Sequence, residues 1–140
     1  MKIALTVSPS FSDGFGVEIS ERRDPLRGSY QVIKTKWLDA DSYVGLEKQA
    51  EIFGNLRTEQ EIDTVDFETL RALVGAVIVS PPEGEWSYMD GTLIALSIER
   101  GAVRINLEWN SQADEKWKGV DELVEFLTVL YERHRRRGFG

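Results

Sequence analysis

The chain lacks cysteine and has only one histidine, and each shortage removes whole classes of function. Without cysteine there is no disulfide framework, thiolate zinc site, iron–sulfur cluster or cysteine nucleophile. Histidine is the usual general base near neutral pH. The only one, His134, stands in an arginine-rich segment, and we expect it at a frayed helix end where nothing would position it. The sequence therefore favours a protein without catalytic residues, metal or cofactor.

Long apolar runs are also missing. The most apolar stretch, residues 72–79, has eight residues and includes a glycine, whereas a membrane-spanning helix needs about 20. The first nine residues contain one basic residue and an apolar stretch too short for a signal-peptide core. We therefore expect a soluble, cytoplasmic protein that does not associate with membranes.

Negative charge dominates the composition. Acidic residues outnumber basic ones by 24 to 17, which gives a net charge of −7. Because the last eight residues contain four arginines and no acid, residues 1–132 carry a net charge of −11. A body this acidic repels phosphate backbones and attracts basic proteins. The charge thus disfavours nucleic-acid binding and favours a basic protein partner.

Periodicity predicts strands first and helices second. Residues 1–37 alternate apolar and polar side chains, with loop-forming residues in between, and predict three antiparallel strands. Residues 39–75 predict two helices, the first of them capped by Asp39 or Asp41 and the second followed by Gly75 at its C-terminal end.

The last part of the chain, residues 76–135, predicts a short apolar strand over 76–79, a hairpin that turns at Gly101 and an amphipathic final helix. At 140 residues the chain has the size of one domain, which we take to span 1–140. Together these elements predict an α+β fold, with an antiparallel or mixed sheet and about three helices packed mainly on one of its faces.

The tryptophans and acids of the hairpin region are candidates either for the core or for a functional site. Trp109 continues the apolar face of its strand, and Trp117 precedes the last helix, so both are predicted to lie in the core. Glu108 is the best single carboxylate for acid–base catalysis. Alternation places it with Arg104 and Asn106 on the outward face, which predicts a solvated residue.

The layout of the C-terminal part resembles that of known proteins. It consists of Met89-Asp90-Gly91-Thr92, the hairpin ending at Trp109, the segment Glu115-Lys116-Trp117-Lys118-Gly119-Val120, and the final helix. This layout resembles the C-terminal half of many small bacterial proteins, some of which are similar to immunity proteins of bacterial toxin systems. The resemblance implies a protein that neutralises a toxin by binding it, often through an acidic surface, and that has no active site.

The leading hypothesis is thus a non-catalytic, possibly immunity-type binding protein that masks a basic partner by charge and shape. One alternative is a small-ligand-binding or carboxylate-based enzyme domain, which would need a buried acid in an apolar cleft. Another is a structural module that forms homodimers by pairing its sheet edges. The residues predicted to bind the partner are Glu59, Glu61, Asp63, Asp66, Glu83, Glu85, Trp86 and Tyr88.

Overall fold

A computed structural model describes residues 1–80, 92–110 and 117–135. In these ranges the chain forms one sheet of six strands, ordered β4-β3-β2-β1-β5-β6, and three helices. Every strand pairing is antiparallel. The predicted α+β fold with an antiparallel sheet is confirmed. In chain order the elements are β1 (Lys2–Ser8), β2 (Gly14–Asp24), β3 (Gly28–Leu38), α1 (Leu46–Asn55), β4 (Gln60–Glu61), α2 (Thr64–Gly75), β5 (Leu93–Arg100), β6 (Val103–Asn110) and α3 (Val120–Arg135).

The apolar face of the sheet is covered by α2 and α3. The alternating residues Ile3 and Leu5 of β1 lie on this face, in register with apolar residues of β2 and β5. Because side chains alternate between the two faces of a strand, each strand contributes one apolar row. Against these rows α3 places Leu123 and Leu127, both of them fully buried. Two of the three helices thus share one face, as the sequence predicted.

The opposite face is polar and is covered by α1. On this face of the sheet, Thr6 and Ser8 of β1 are fully buried although both carry hydroxyl groups. From α1, Gln49 donates a hydrogen bond to the carbonyl oxygen of Ala95 at 2.8 Å and one to Thr6 Oγ1 at 3.3 Å. A Cβ atom on Gly16 would lie only 3.0 Å from the ring of Phe53, so this glycine lets α1 approach the sheet closely.

The first helix begins later than the sequence predicted. Asp39 does not cap it, because its side chain accepts a hydrogen bond from Ser42 Oγ and its carbonyl accepts one from Ser42 N. The helix begins at Leu46, whose N–H donates to Glu108 Oε2 at 3.3 Å. A carboxylate from a distant strand therefore supplies the acceptor that we expected from Asp39 or Asp41.

The end of α2 also differs from the prediction. Gly75 is the last residue of the helix and does not follow it, and Ala76 is the C-cap. The apolar segment 76–79 forms an isolated bridge between Ile78 and Lys118, with no longer pairing among the described residues. Its two backbone hydrogen bonds, of 2.8 and 2.9 Å, fix the chain just before α3.

The predicted C-terminal hairpin is confirmed. Strands β5 and β6 pair from Leu93 and Asn110 to Arg100 and Val103. Gly101 has a φ of 60°, the left-handed conformation that tight hairpin turns require. Among the described helices, none combines the length and apolar character that a bilayer crossing demands.

Candidate functional site

A cleft of about 640 Å³ opens along the outer edge of β3. It exists because β4 is only two residues long and pairs with Val32 and Ile33 alone. The C-terminal half of β3 therefore pairs with β2 on its inner side but with no described strand on its outer side, and α3 and the segment after α1 form the other walls. We call it the β3 cleft; its lining residues are Ile33, Thr35, Lys36, Trp37, Leu56, Thr58, Gln60, Tyr131 and Arg135.

The lining of the β3 cleft combines aromatic rings, hydroxyl groups and positive charge. Trp37 is 51% exposed, and Tyr131 closes the inner end. Among the described residues, Lys36 and Arg135 are the charged ones that line the cleft, and no acid does so. Arg135 Nε forms an ion pair with Glu132 Oε2 at 2.7 Å. In a protein of net charge −7, this concave site therefore favours an anionic or neutral ligand over a basic one.

Tyr131 is buried at the inner end of the cleft. Its ring stacks on Phe15 with a centroid distance of 4.6 Å and an angle of 22° between the rings. Burial raises the pKa of the Tyr131 hydroxyl, with opposing smaller effects from Arg135, which lowers it, and Glu132, which raises it. At neutral pH the residue thus offers a protonated phenol, which can donate a hydrogen bond to a bound acceptor.

His134 lies behind this cleft and corrects a prediction. We expected a frayed helix end with nothing to position the ring, but His134 is only 3% exposed. Its Nδ1 lies 3.3 Å from Gln60 Oε1, and its carbonyl oxygen accepts a hydrogen bond from Gln60 Nε2 at 3.1 Å. The chain brings residues 60 and 134 together by placing β4 beside the end of α3, which periodicity along α3 cannot reveal.

Three of the predicted partner-binding acids are engaged in ion pairs within the chain. Glu59 Oε2 lies 3.2 Å from a nitrogen of Arg22, and Asp66 Oδ2 lies 2.7 Å from a nitrogen of Arg133. Glu61 accepts a hydrogen bond from Arg27, which raises the pKa of that guanidinium. A basic partner would have to compete with these arginines for the same carboxylates.

The fourth described acid, Asp63, is exposed and precedes α2 as its N-cap residue, with no side-chain capping hydrogen bond. It therefore offers an accessible carboxylate close to the three paired acids. The other predicted partner-binding residues, Glu83, Glu85, Trp86 and Tyr88, lie outside the described residues.

Further acids lie on the solvent side of α3. Asp121, Glu122 and Glu125 are exposed there, and none of the ion pairs of the described residues involves them. Asp121 and Glu122 also lie in the first turn, where the helix dipole favours negative charge. The sequence alone did not indicate these three acids as partner-binding residues.

Among the described residues one carboxylate is buried, and it lies on the polar face of the sheet. Glu18 is 7% exposed and lies 3.7 Å from Lys2 Nζ. The adjacent cavity measures only about 80 Å³, well below the few hundred Å³ of a typical ligand site. No group of three or more acidic, histidine or cysteine side chains in the described part of the chain is arranged to hold a metal ion.

The two tryptophans predicted for the core pack against each other. Trp109 is 2% exposed, and its ring meets that of Trp117 edge to face at 5.6 Å. Trp117 is partly buried, and its Nε1 donates to the carbonyl oxygen of Ser80 at 2.9 Å. Glu108 is exposed as predicted, although it also binds the N-terminus of α1.

The fold and the cleft together define an α+β protein with a six-stranded antiparallel sheet and a concave, acid-free site at one sheet edge. Compared with protein families, with curated proteins and with solved structures, the chain matched nothing. The resemblance to immunity proteins therefore stays a prediction, and the geometry of the chain itself carries the functional argument.

Proposed function

We propose that the protein acts by binding, without catalysis, and that the β3 cleft is its principal binding site. The observation that carries this proposal is an acid-free cleft of about 640 Å³, lined by Trp37, Tyr131 and Arg135, in an otherwise acidic protein. Clefts of roughly 300–1,000 Å³ with apolar walls and a few placed polar groups are typical of small-ligand sites.

The lining specifies the chemistry of the ligand. The partly exposed indole of Trp37 favours a planar or apolar group, since aromatic rings gain by stacking as well as by burial. Lys36 and the protonated phenol of Tyr131 favour an acceptor such as a carboxylate or phosphate, and Arg135 adds a guanidinium that is already paired with Glu132. We therefore infer a small anionic molecule that carries a ring, or a peptide segment with the same two features.

A titration followed by two-dimensional NMR tests this proposal with three probes: benzoate, phenyl phosphate and inorganic phosphate. We expect the ring-bearing anions to shift the indole N–H signal of Trp37 at lower concentrations than phosphate does. Trp37→Ala and Arg135→Gln should each weaken binding of the ring-bearing anions about tenfold, the size of one good ring contact or charged hydrogen bond.

The matched control is Tyr43→Ala, because Tyr43 is 51% exposed, as Trp37 is, but does not line the cleft. It should leave binding unchanged. If no ring-bearing anion binds, or if the Trp37 and Arg135 variants bind as the parent protein does, the cleft is not the site.

A second proposed function is the masking of a basic protein partner, as an immunity-type inhibitor does. It is favoured by the accessible carboxylates of Asp63 before α2 and of Asp121, Glu122 and Glu125 on α3. Long-range attraction between a basic partner and this surface would accelerate association at low salt.

A partner is first isolated by affinity purification with the tagged chain. The association rates of charge-reversal variants with this partner then distinguish the two proposed functions. Asp63→Lys should slow association and flatten its salt dependence more than Glu59→Lys or Glu61→Lys, since Arg22 and Arg27 already neutralise those two acids. Trp37→Ala should not change this association rate. Equal kinetics for the parent protein and for reversals at all four predicted acids, Asp66 included, would remove the second function.

A further inference from the structure

The two edges of the sheet differ in how they are protected. One edge ends in β4, which has only two residues. The other ends in β6, which has eight residues, and among the described residues no strand pairs with its outer side. Long open edges tend to pair with other strands, and proteins usually protect them with proline, lysine, bulges or short strands. The sequence of β6 contains neither proline nor lysine.

The geometry of the hairpin turn determines which residues of β6 present their backbone groups on its outer side. Gly101 and Ala102 form a two-residue turn between the paired residues Arg100 and Val103. In such hairpins the pair beside the turn exchanges its backbone hydrogen bonds. Val103 and every second residue after it therefore bond inward to β5, whereas Arg104, Asn106 and Glu108 present their N–H and C=O groups outward.

The side chains of β6 complement a second copy of the strand. Arg104 and Glu108 are the two charged residues of β6, and Asn106 lies midway between them. Within one chain, Arg104 Nε lies 3.5 Å from Glu99 Oε1, and Glu108 Oε2 accepts a hydrogen bond from Leu46 N, so a second copy would share or exchange these two contacts. If two copies pair antiparallel about a two-fold axis at Asn106, each Arg104 stands opposite the Glu108 of the other copy. Both lie on the polar face, where opposite charges in directly facing pairs stabilise a sheet.

Neighbouring registers lose this match. A shift of the two-fold axis to Arg104 or to Glu108 would bring two like charges face to face, which destabilises pairing. Axes at Ile105 or Leu107 would leave both charges opposite uncharged residues. The register centred on Asn106 also pairs Ile105 with Leu107 on the apolar face, where both side chains are only half-buried in the single chain.

We propose that the outer edge of β6 binds the β6 edge of a second copy, which joins two six-stranded sheets into one twelve-stranded antiparallel sheet. The interface is isologous, as in most homodimers. It does not depend on the β3 cleft, which lies at the opposite edge of the sheet.

Sedimentation equilibrium of the full chain tests the proposal, with a dimer of twice the chain mass as the expected result. Arg104→Glu places two carboxylates opposite each other in both halves of the interface, and it should raise the dimer dissociation constant at least about tenfold. Glu108→Arg should do the same. The double variant Arg104→Glu/Glu108→Arg restores the pairing with exchanged charges and should bring the constant back to within about threefold of the parent value.

The matched control is Arg100→Glu, which makes the same change of charge on the same hairpin but on β5, away from the outer edge. It should leave the dissociation constant unchanged, and circular dichroism verifies that every variant folds. A chain that stays monomeric at millimolar concentration would overturn the proposal. A dimer that is equally stable in all variants would also overturn it, because the proposed register would then be absent.

Discussion

The two faces of the sheet are held by different physical forces. The apolar face packs Leu5 and Leu96 against Leu127 and its neighbours on α3, so burial of hydrocarbon stabilises it. The face under α1 buries hydroxyl and amide groups, which must find hydrogen-bond partners to be tolerated there. The comparison teaches that burial of apolar side chains holds α3, whereas α1 combines the burial of Phe53 with a few specific hydrogen bonds.

The largest expected effect is on the apolar face. Leu127→Ala should lower the free energy of unfolding by about 2–5 kcal/mol, because it removes fully buried methyl groups and leaves a cavity. Urea denaturation measures the change. Val129→Ala, on the solvent side of the same helix and 47% exposed, should change stability by no more than about 0.5 kcal/mol.

A smaller effect is expected for the central contact under α1. Gln49→Ala should cost about 1–3 kcal/mol, since it leaves the buried carbonyl oxygen of Ala95 without this donor. The exposed neighbour Lys48 provides the control, and Lys48→Ala should have little effect. If Gln49→Ala were neutral while Leu127→Ala was costly, α1 would not depend on its hydrogen bonds, and the contrast between the faces would fail.

The carboxylate at the start of α1 sharpens the same contrast. Glu108→Ala should cost about 0.5–1 kcal/mol, since the helix loses an acceptor and a negative charge at its positive end. Glu108→Gln keeps an oxygen acceptor and should lose less. Thermal unfolding at sub-micromolar concentration measures both variants without a contribution from dimers. Equal losses would mean that the charge, and not the hydrogen bond, stabilises α1.

The smallest effect appears only at alkaline pH. Burial raises the pKa of Tyr131 above the value of about 10 for an exposed tyrosine, so the folded state keeps a proton that the unfolded state releases. The stability that the protonated Tyr131 hydroxyl contributes to the folded state is fully present below pH 10. It is lost as the pH rises through the higher pKa of the folded state.

Tyr131→Phe should therefore lose less stability than the parent protein between about pH 10 and 12. Urea denaturation at each pH measures the difference, and the exposed Tyr43→Phe should follow the parent curve. Parallel curves for the parent protein and Tyr131→Phe would show that the Tyr131 hydroxyl is not desolvated by α3 packing.

The elements on the apolar face could be predicted from the sequence. Alternation at Ile3 and Leu5 and the helical spacing of Leu123, Leu127 and Leu130 each reflect a single element buried on one side. The hairpin was equally predictable, because only glycine adopts the φ of Gly101 without strain. These patterns are local, so a single sequence contains them.

The candidate site was not predictable in this way. The sequence pointed to acids near residue 60, and the structure pairs three of them with arginines while it opens an acid-free cleft nearby. The contact between Gln60 and His134 joins residues 74 positions apart. No spacing along one element could have indicated either result.

The sequence by itself determined the kinds of the long elements, the apolar side of each and the negative charge, because these follow from neighbouring residues. Only the tertiary structure decided that α1 crosses to the polar face, that Glu108 rather than Asp39 meets its N-terminus, and that β4 stops short enough to leave the β3 cleft open. The reason is physical. Each of these outcomes depends on which distant hydrogen-bonding groups satisfy one another, and that is settled only when the chain is packed.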